Sequence, residues 1–152
     1  MRLGDKCISV YLDKVNWFDA DRKCRSTNAN LLTFENDVER SLTTEYLKNM
    51  GIISKSYYND SIWIGINTLG KNRTFVQAKN GKNPNYVRWC TNQPDNDNQE
   101  CVAYADFAGC NYGYHDYDCT SVFPFVCETK VRHESNYLCL PRNNFVEVYH
   151  ET

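Results

Sequence analysis

The stretch Trp89-Cys90-Thr91-Asn92-Gln93-Pro94-Asp95-Asn96-Asp97-Asn98-Gln99-Glu100-Cys101, followed by Tyr114-His115-Asp116 and then Cys119, decides how this chain is read. A hard cation such as calcium is held by six to eight oxygens drawn from carboxylates, side-chain amides and backbone carbonyls. Gln93, Asp95, Glu100 and Asp116 supply that chemistry within a short span, and Pro94 stiffens the backbone between two of them. A plainer reading of Gln93 to Gln99 is a polar turn, because Asn and Asp readily bond their own backbone. The residues around the stretch separate the two readings.

Working outward, Trp63-Ile64-Gly65-Ile66 is a short apolar run of strand length, and Phe125-Val126-Cys127-Glu128 is a second. Trp17, Ala20 and Cys24 repeat at helical spacing near the start. In this order the motifs resemble those of the C-type lectin domain family, and the resemblance covers roughly residues 7 to 129.

That resemblance implies an α+β fold, disulfide-stapled, with two helices packed on small antiparallel sheets and a long loop for calcium and sugar. It implies a long disulfide between Cys24 and Cys127, and a short one between Cys101 and Cys119 that clamps the loop. In the family the proline equivalent to Pro94 is cis, which turns the flanking Gln93 and Asp95 toward one ion. Gln93, Asp95, Glu100 and Asp116 are then the expected calcium ligands. The same four residues, with His115, are the expected carbohydrate contacts, because vicinal hydroxyls complete the ion's shell and bond its ligands. Gln-Pro-Asp goes with galactose-type sugars in this family, whereas Glu-Pro-Asn goes with mannose-type sugars. The branch most resembled is that of secreted invertebrate, including insect, immune lectins. It implies glycan recognition in innate immunity, sometimes together with a second lectin-like chain.

Three departures bear on the ion. His115 stands where the family has an asparagine, and imidazole is a poor calcium ligand. The acidic residue usually found two positions before the short-disulfide cysteine is Gln99 here, so Glu100 needs a bulge to aim inward. The loop is short, and Asn67, Thr68 and Asn96 replace the acids of an auxiliary site. At most one calcium site of weakened affinity is expected, weaker still at low pH, where a charged His115 would contribute. Asn96-Asp97-Asn98 offers no aromatic ring to stack on a sugar, so Tyr114, Tyr117 or His115 would have to serve. The rival reading is a calcium-independent domain that binds protein, for which His115 and Gln99 speak. No enzyme is expected: His115 and Asp116 are strand neighbours that point to opposite faces, and no nucleophile motif stands near them.

Composition is consistent with this reading. The 152 residues suit one domain, residues 1–129, with an extension over 130–152 whose Phe145, Val146, Val148 and Tyr149 could add a strand or reach a partner. Eight cysteines without a CxxC pair or zinc spacing read as a disulfide framework in a secreted protein or ectodomain. Cys7, Cys90, Cys110 and Cys139 allow three pairings that spacing does not separate. The fold implied by the resemblance sets its first and last strands side by side, which favours Cys7 with Cys139 and leaves Cys90 for Cys110; an interchain bond through Cys7 or Cys139 is the rival. A net charge of -2 with dispersed basic residues gives no footprint for nucleic acid or anionic membrane. No stretch has the length or apolarity of a membrane span, and Met1-Arg2-Leu3-Gly4-Asp5 lacks a signal-peptide core, as a mature fragment behind an added methionine would. Asn59-Asp60-Ser61 and Asn72-Arg73-Thr74 are glycosylation sequons in expected turns.

Local signals predict the elements. Asn16 caps a helix through Trp17, Ala20 and Cys24. Asn36 with Glu39 forms a capping-box pattern for a helix over 37–50, which carries Leu42, Tyr46, Leu47 and Met50 and stops at Gly51. Strands are expected over 61–66 and 123–129, and a hairpin joins 101–107 to 112–117 across Ala108-Gly109-Cys110-Asn111. Residues 57–60, 70–72 and 80–84 read as turns.

Overall fold

A computed structural model describes residues 1–53 and 58–131 of the chain. In chain order the elements are β1 (Arg2–Leu3), β2 (Lys6–Val15), α1 (Trp17–Ser26), β3 (Asn30–Leu31), α2 (Asp37–Asn49), β4 (Ile62–Asn67), β5 (Val76–Gln77), β6 (Cys101–Ala105), β7 (Gly113–Tyr117) and β8 (Phe123–Lys130). Single 3-10 turns lie at Tyr58–Asp60 and Phe107–Gly109.

Helix α1 begins where the side chain of Asn16 accepts the amide of Asp19 at 2.8 Å, and it buries Trp17, Ala20 and Cys24 as one stripe. Helix α2 begins in the same way, with Asn36 accepting the Glu39 amide at 2.9 Å. The Glu39 carboxylate bonds the amide of Glu35 at 2.9 Å instead of that of Asn36, so the reciprocal half of the expected box is shifted by one residue. Replacing Asn36 with Ala should cost about 1 kcal/mol of stability, read as a lower urea midpoint at unchanged slope. An unchanged midpoint would mean that the packing of α2, rather than its cap, sets the helix start. Helix α2 covers Arg40, Thr43, Thr44 and Leu47, while Leu42 and Met50 are exposed.

The strands form one connected sheet in the order β1-β2-β8-β4-β6-β7, with β3 on β8 and β5 on β4. The architecture is the α+β one expected, two helices on antiparallel strands, and β4 and β8 pair in parallel at Trp63 and Phe125 and so join the two halves. Such a joint requires strands buried on both faces, and β4 is buried at every position. Two apolar clusters flank it. One holds Leu32, Phe34, Leu47, Ile64, Tyr104 and Tyr114; the other holds Trp17, Trp63, Phe123, Phe125 and the half-cystines Cys24, Cys101, Cys119 and Cys127. The buried indoles are satisfied: Trp17 donates to the Ile64 carbonyl and Trp63 to that of Val15, both at 2.9 Å.

Disulfides join Cys24 to Cys127, Cys90 to Cys110, and Cys101 to Cys119. Of the extension expected over 130–152 only Lys130, which ends β8, and Val131 are described; its remainder, and with Cys139 the expected pairing to Cys7, lie outside the described residues. At the far side of the sheet Lys6 is buried and donates to Glu39 at 2.8 Å, to the Thr33 carbonyl at 2.8 Å and to Glu128 at 3.1 Å. Burial opposes its charge, yet Glu128 and Glu39 outweigh that and hold its pKa above the ordinary lysine value.

Candidate functional site

Strands β6 and β7 carry the candidate residues to one end of the sheet, and the Cys101–Cys119 bond fixes the base of the loop that precedes β6. The peptide between Gln93 and Pro94 is cis. Gln93, Asp95, Asn96, Gln99, Phe107, His115, Asp116 and Tyr117 line an open cleft of about 380 Å³. Of the five residues expected from sequence, the structure brings together Gln93, Asp95, His115 and Asp116.

Glu100 is not among the lining residues. One of its carboxylate oxygens lies 3.3 Å from the amide of Gly70, and its backbone carbonyl accepts Thr68 at 2.8 Å. Gln99 lines the cleft in its place, so no bulge turns Glu100 inward. Gln99 and Glu100 precede β6, in the turn where the Gln99 amide donates to the Asn96 carbonyl at 2.9 Å. The expected opposition of His115 and Asp116 also fails, since both line the cleft with Tyr117.

The Asp116 side chain is fully buried and its oxygens are in use. One accepts the amide of Asp95 at 3.1 Å; the other accepts that of Asn96 at 3.1 Å and the Arg73 guanidinium at 2.8 Å. Asp116 thus pins the loop backbone and carries an internal counter-charge. Asp95 is exposed at the rim. The carbonyl oxygen of the Gln93 side chain is buried without a hydrogen-bond partner, in a residue that lines the cleft. An orphan acceptor of this kind is costly unless a ligand or solvent donates to it.

His115 is a core residue with one edge on the cleft. It is 1 % exposed, its Nε2 lies 3.0 Å from Ser61 Oγ, and its ring stacks on Phe107 with centroids 5.1 Å apart. Burial pushes its pKa down to about 4, against the pull of Asp116 and Asp95 toward the charged form. The charged His115 expected at low pH therefore forms only near pH 4. Tyr114 is fully buried in the core and offers no stacking surface, whereas Tyr117 and Phe107 do line the cleft. Phe107 and Arg73 were not legible as site residues: the first sits in a hairpin turn, and the second inside a sequon whose Asn72 is exposed.

The fit to calcium can be tested on these contacts. An ion wants several inward oxygens, of which carboxylates weigh most. Glu100 faces Gly70, Asp116 is neutralised by Arg73, and among the described residues no three His, Cys, Asp or Glu side chains converge as a metal-holding group. The four residues expected as ligands do not fit a calcium ion in this arrangement.

Among known proteins, the family described as Lectin C-type domain matches residues 13–129. C-type lectin 37Db of Drosophila melanogaster is 28% identical over 130 residues, which cover 84% of this chain and 80% of the relative. A C-type lectin mannose-binding isoform of Oxyuranus scutellatus and a galactose-binding isoform of Hoplocephalus stephensii are 27% and 26% identical, each over 128 residues, 82% of this chain and 77% of the relative. In structure, human lithostathine superposes with a TM-score of 0.73 at 26% identity, covering 86% of this chain and 87% of that one.

Proposed function

Since the chain belongs to the C-type lectin domain family, we propose that it is a lectin that binds carbohydrate in the cleft between Gln93 and Tyr117. The observation that carries the proposal is the buried, unpartnered oxygen of Gln93 beside the exposed residue Asp95, in a cleft that the half-buried aromatic residues Phe107 and Tyr117 also line. A pyranose needs both kinds of surface: paired acceptors and donors for vicinal hydroxyls, and a flat apolar ring for its C–H face. Gln93 offers an amide and Asp95 a carboxylate, so one hydroxyl can donate to each oxygen while the Gln93 amide nitrogen donates in return.

A galactose-type preference rests on the order Gln93-Pro94-Asp95, with Phe107 and Tyr117 as the aromatic residues on hand in the cleft. Names of similar relatives include both mannose-binding and galactose-binding forms and do not choose between them. Calcium dependence, expected from Gln93, Asp95, Glu100 and Asp116, finds no support in their placement, and the proposal is of direct hydrogen bonding. Secretion fits the disulfide framework, and no described helix is long and apolar enough to cross a membrane. A role in glycan recognition in innate immunity, with or without a second lectin-like chain, is part of the same proposal. No described cysteine is free for a covalent link to such a chain.

The test is retention on galactose and mannose matrices, with Asp95→Ala beside the unaltered protein. Retention on galactose that Asp95→Ala weakens by roughly 30-fold, about 2 kcal/mol for a charged hydrogen bond, is the expected result. No retention on either matrix, with calcium or with chelator, would sink the carbohydrate reading and favour the protein-binding one.

A further inference from the structure

We infer that Arg73 is a built-in cation around which the loop from Asp95 to Gln99 folds, so that the cleft keeps its shape without calcium. The consequence for sugar binding rests on the lectin reading above; the consequence for the loop does not.

The contacts made by this one side chain are those a bound metal would make. Its Nη1 donates to the backbone carbonyl of Asn96 at 2.8 Å and to that of Gln99 at 2.9 Å, and its Nη2 donates to Asp116 at 2.8 Å. Its Nε lies 3.5 Å from the carboxylate of Asp97. Two carbonyls and two carboxylates are the ligand types that calcium gathers, and here they gather on a guanidinium. The planar fork suits the task, since several donors leave one rigid group in fixed directions.

Two further observations show a guanidinium held in place rather than resting on the surface. Its central carbon lies 5.0 Å from the centroid of the Phe75 ring, and Phe75 packs on Trp89 with centroids 4.8 Å apart. The backbone at Arg73 is left-handed, with φ of 64°, an uncommon conformation for a residue other than glycine, asparagine or aspartate. That turn projects Arg73 from the segment before β5 across to the loop.

Charge completes the argument. Asp116 is fully buried, and its pairing with Arg73 is the only ion pair it makes among the described residues. A calcium ion bound at the Asp116 oxygen that Arg73 holds would compete with the guanidinium for it. The loop is therefore closed by a cation that chelator cannot remove.

The experiment measures amide hydrogen exchange at Asp95, Asn96 and Gln99, in calcium and in chelator, for the intact protein and for Arg73→Gln and Arg73→Lys. Exchange that is equal in calcium and chelator for the unaltered protein is expected, with no heat on calorimetric titration of calcium into the millimolar range. In Arg73→Gln these amides should exchange roughly a hundredfold faster, because Asp116 is left buried without its partner, while core amides of β4 and β6 keep their protection and show that the fold stands. Arg73→Lys should lie between, as a point charge cannot reach all the acceptors. Slower loop exchange on adding calcium, or unaltered loop exchange in Arg73→Gln, would overturn the inference and leave the lectin reading in place. Failure to bind any sugar, with loop exchange as expected, would overturn the lectin reading and leave Arg73 in its role.

Discussion

Gly65→Ala should lower the stability of this protein by roughly 3 kcal/mol, with a fall in melting temperature of about 10 °C. Gly65 lies in β4, where every residue is buried, and a Cβ built on it would sit 2.5 Å from the Leu31 carbonyl oxygen and 3.1 Å from the Leu31 carbonyl carbon. Neither obstacle is the end of a flexible side chain. The strand backbones of β3 and β4 approach each other there, and the Gly65 amide donates to the Leu32 carbonyl at 2.8 Å. Relief would require moving Leu31, which pairs with Cys127 on β8 and so with the Cys24–Cys127 bond. Thermal and urea unfolding with the disulfides intact would measure the effect. A midpoint equal to that of the unaltered protein would mean that β3 can retreat freely and that the close approach constrains nothing.

The second large effect is a stability loss on acidification that is carried by His115. The folded protein holds this imidazole neutral down to about pH 4, because the ring is buried between Ser61 and Phe107, whereas the unfolded chain protonates it near the ordinary value of 6.5. Between those two pH values the unfolded state binds a proton that the native state refuses. Stability attributable to His115 is therefore fully present above about pH 6.5, falls as the pH drops toward 4, and levels off below it. The total is about 3 kcal/mol at roughly 1.4 kcal/mol per pH unit. Other carboxylates titrate in the same range, so the measurement is the difference in urea-unfolding free energy between the unaltered protein and His115→Asn, taken from pH 7 to pH 4. The difference should narrow, and then reverse in favour of the variant, as the pH falls. A pH-independent difference would mean that His115 titrates alike in both states.

These predictions depend on different kinds of legibility. Gly65 was visible within a motif, Trp63-Ile64-Gly65-Ile66, yet the reason only glycine fits is Leu31, more than thirty residues earlier and on a separate strand. His115 was visible as a departure from the family's asparagine. Its neutrality was not, because burial arises from Phe107 and Ser61 on other segments. The expectation of an acid-sensitive imidazole applied an exposed-site pKa to a core residue. Glu100 and Gln99 show the same limit on a smaller scale: the carboxylate was in the right stretch, but which of two neighbours lines the cleft depends on the turn before β6 and on the Gly70 amide that Glu100 meets.

By itself the sequence determined the family, the two capped helices, the apolar runs that became β4 and β8, and the cysteine-rich framework that staples them. Those features are written locally, in side-chain periodicity, capping residues and covalent chemistry, and survive without knowledge of what lies across the fold. The tertiary structure alone decided that the half-sheets join through a parallel pair at Trp63 and Phe125, that Tyr114 belongs to the core, and that Asp116 faces Arg73. An electrostatic environment is a sum over neighbours in space, and the guanidinium that sets this one stands 43 residues away in the chain.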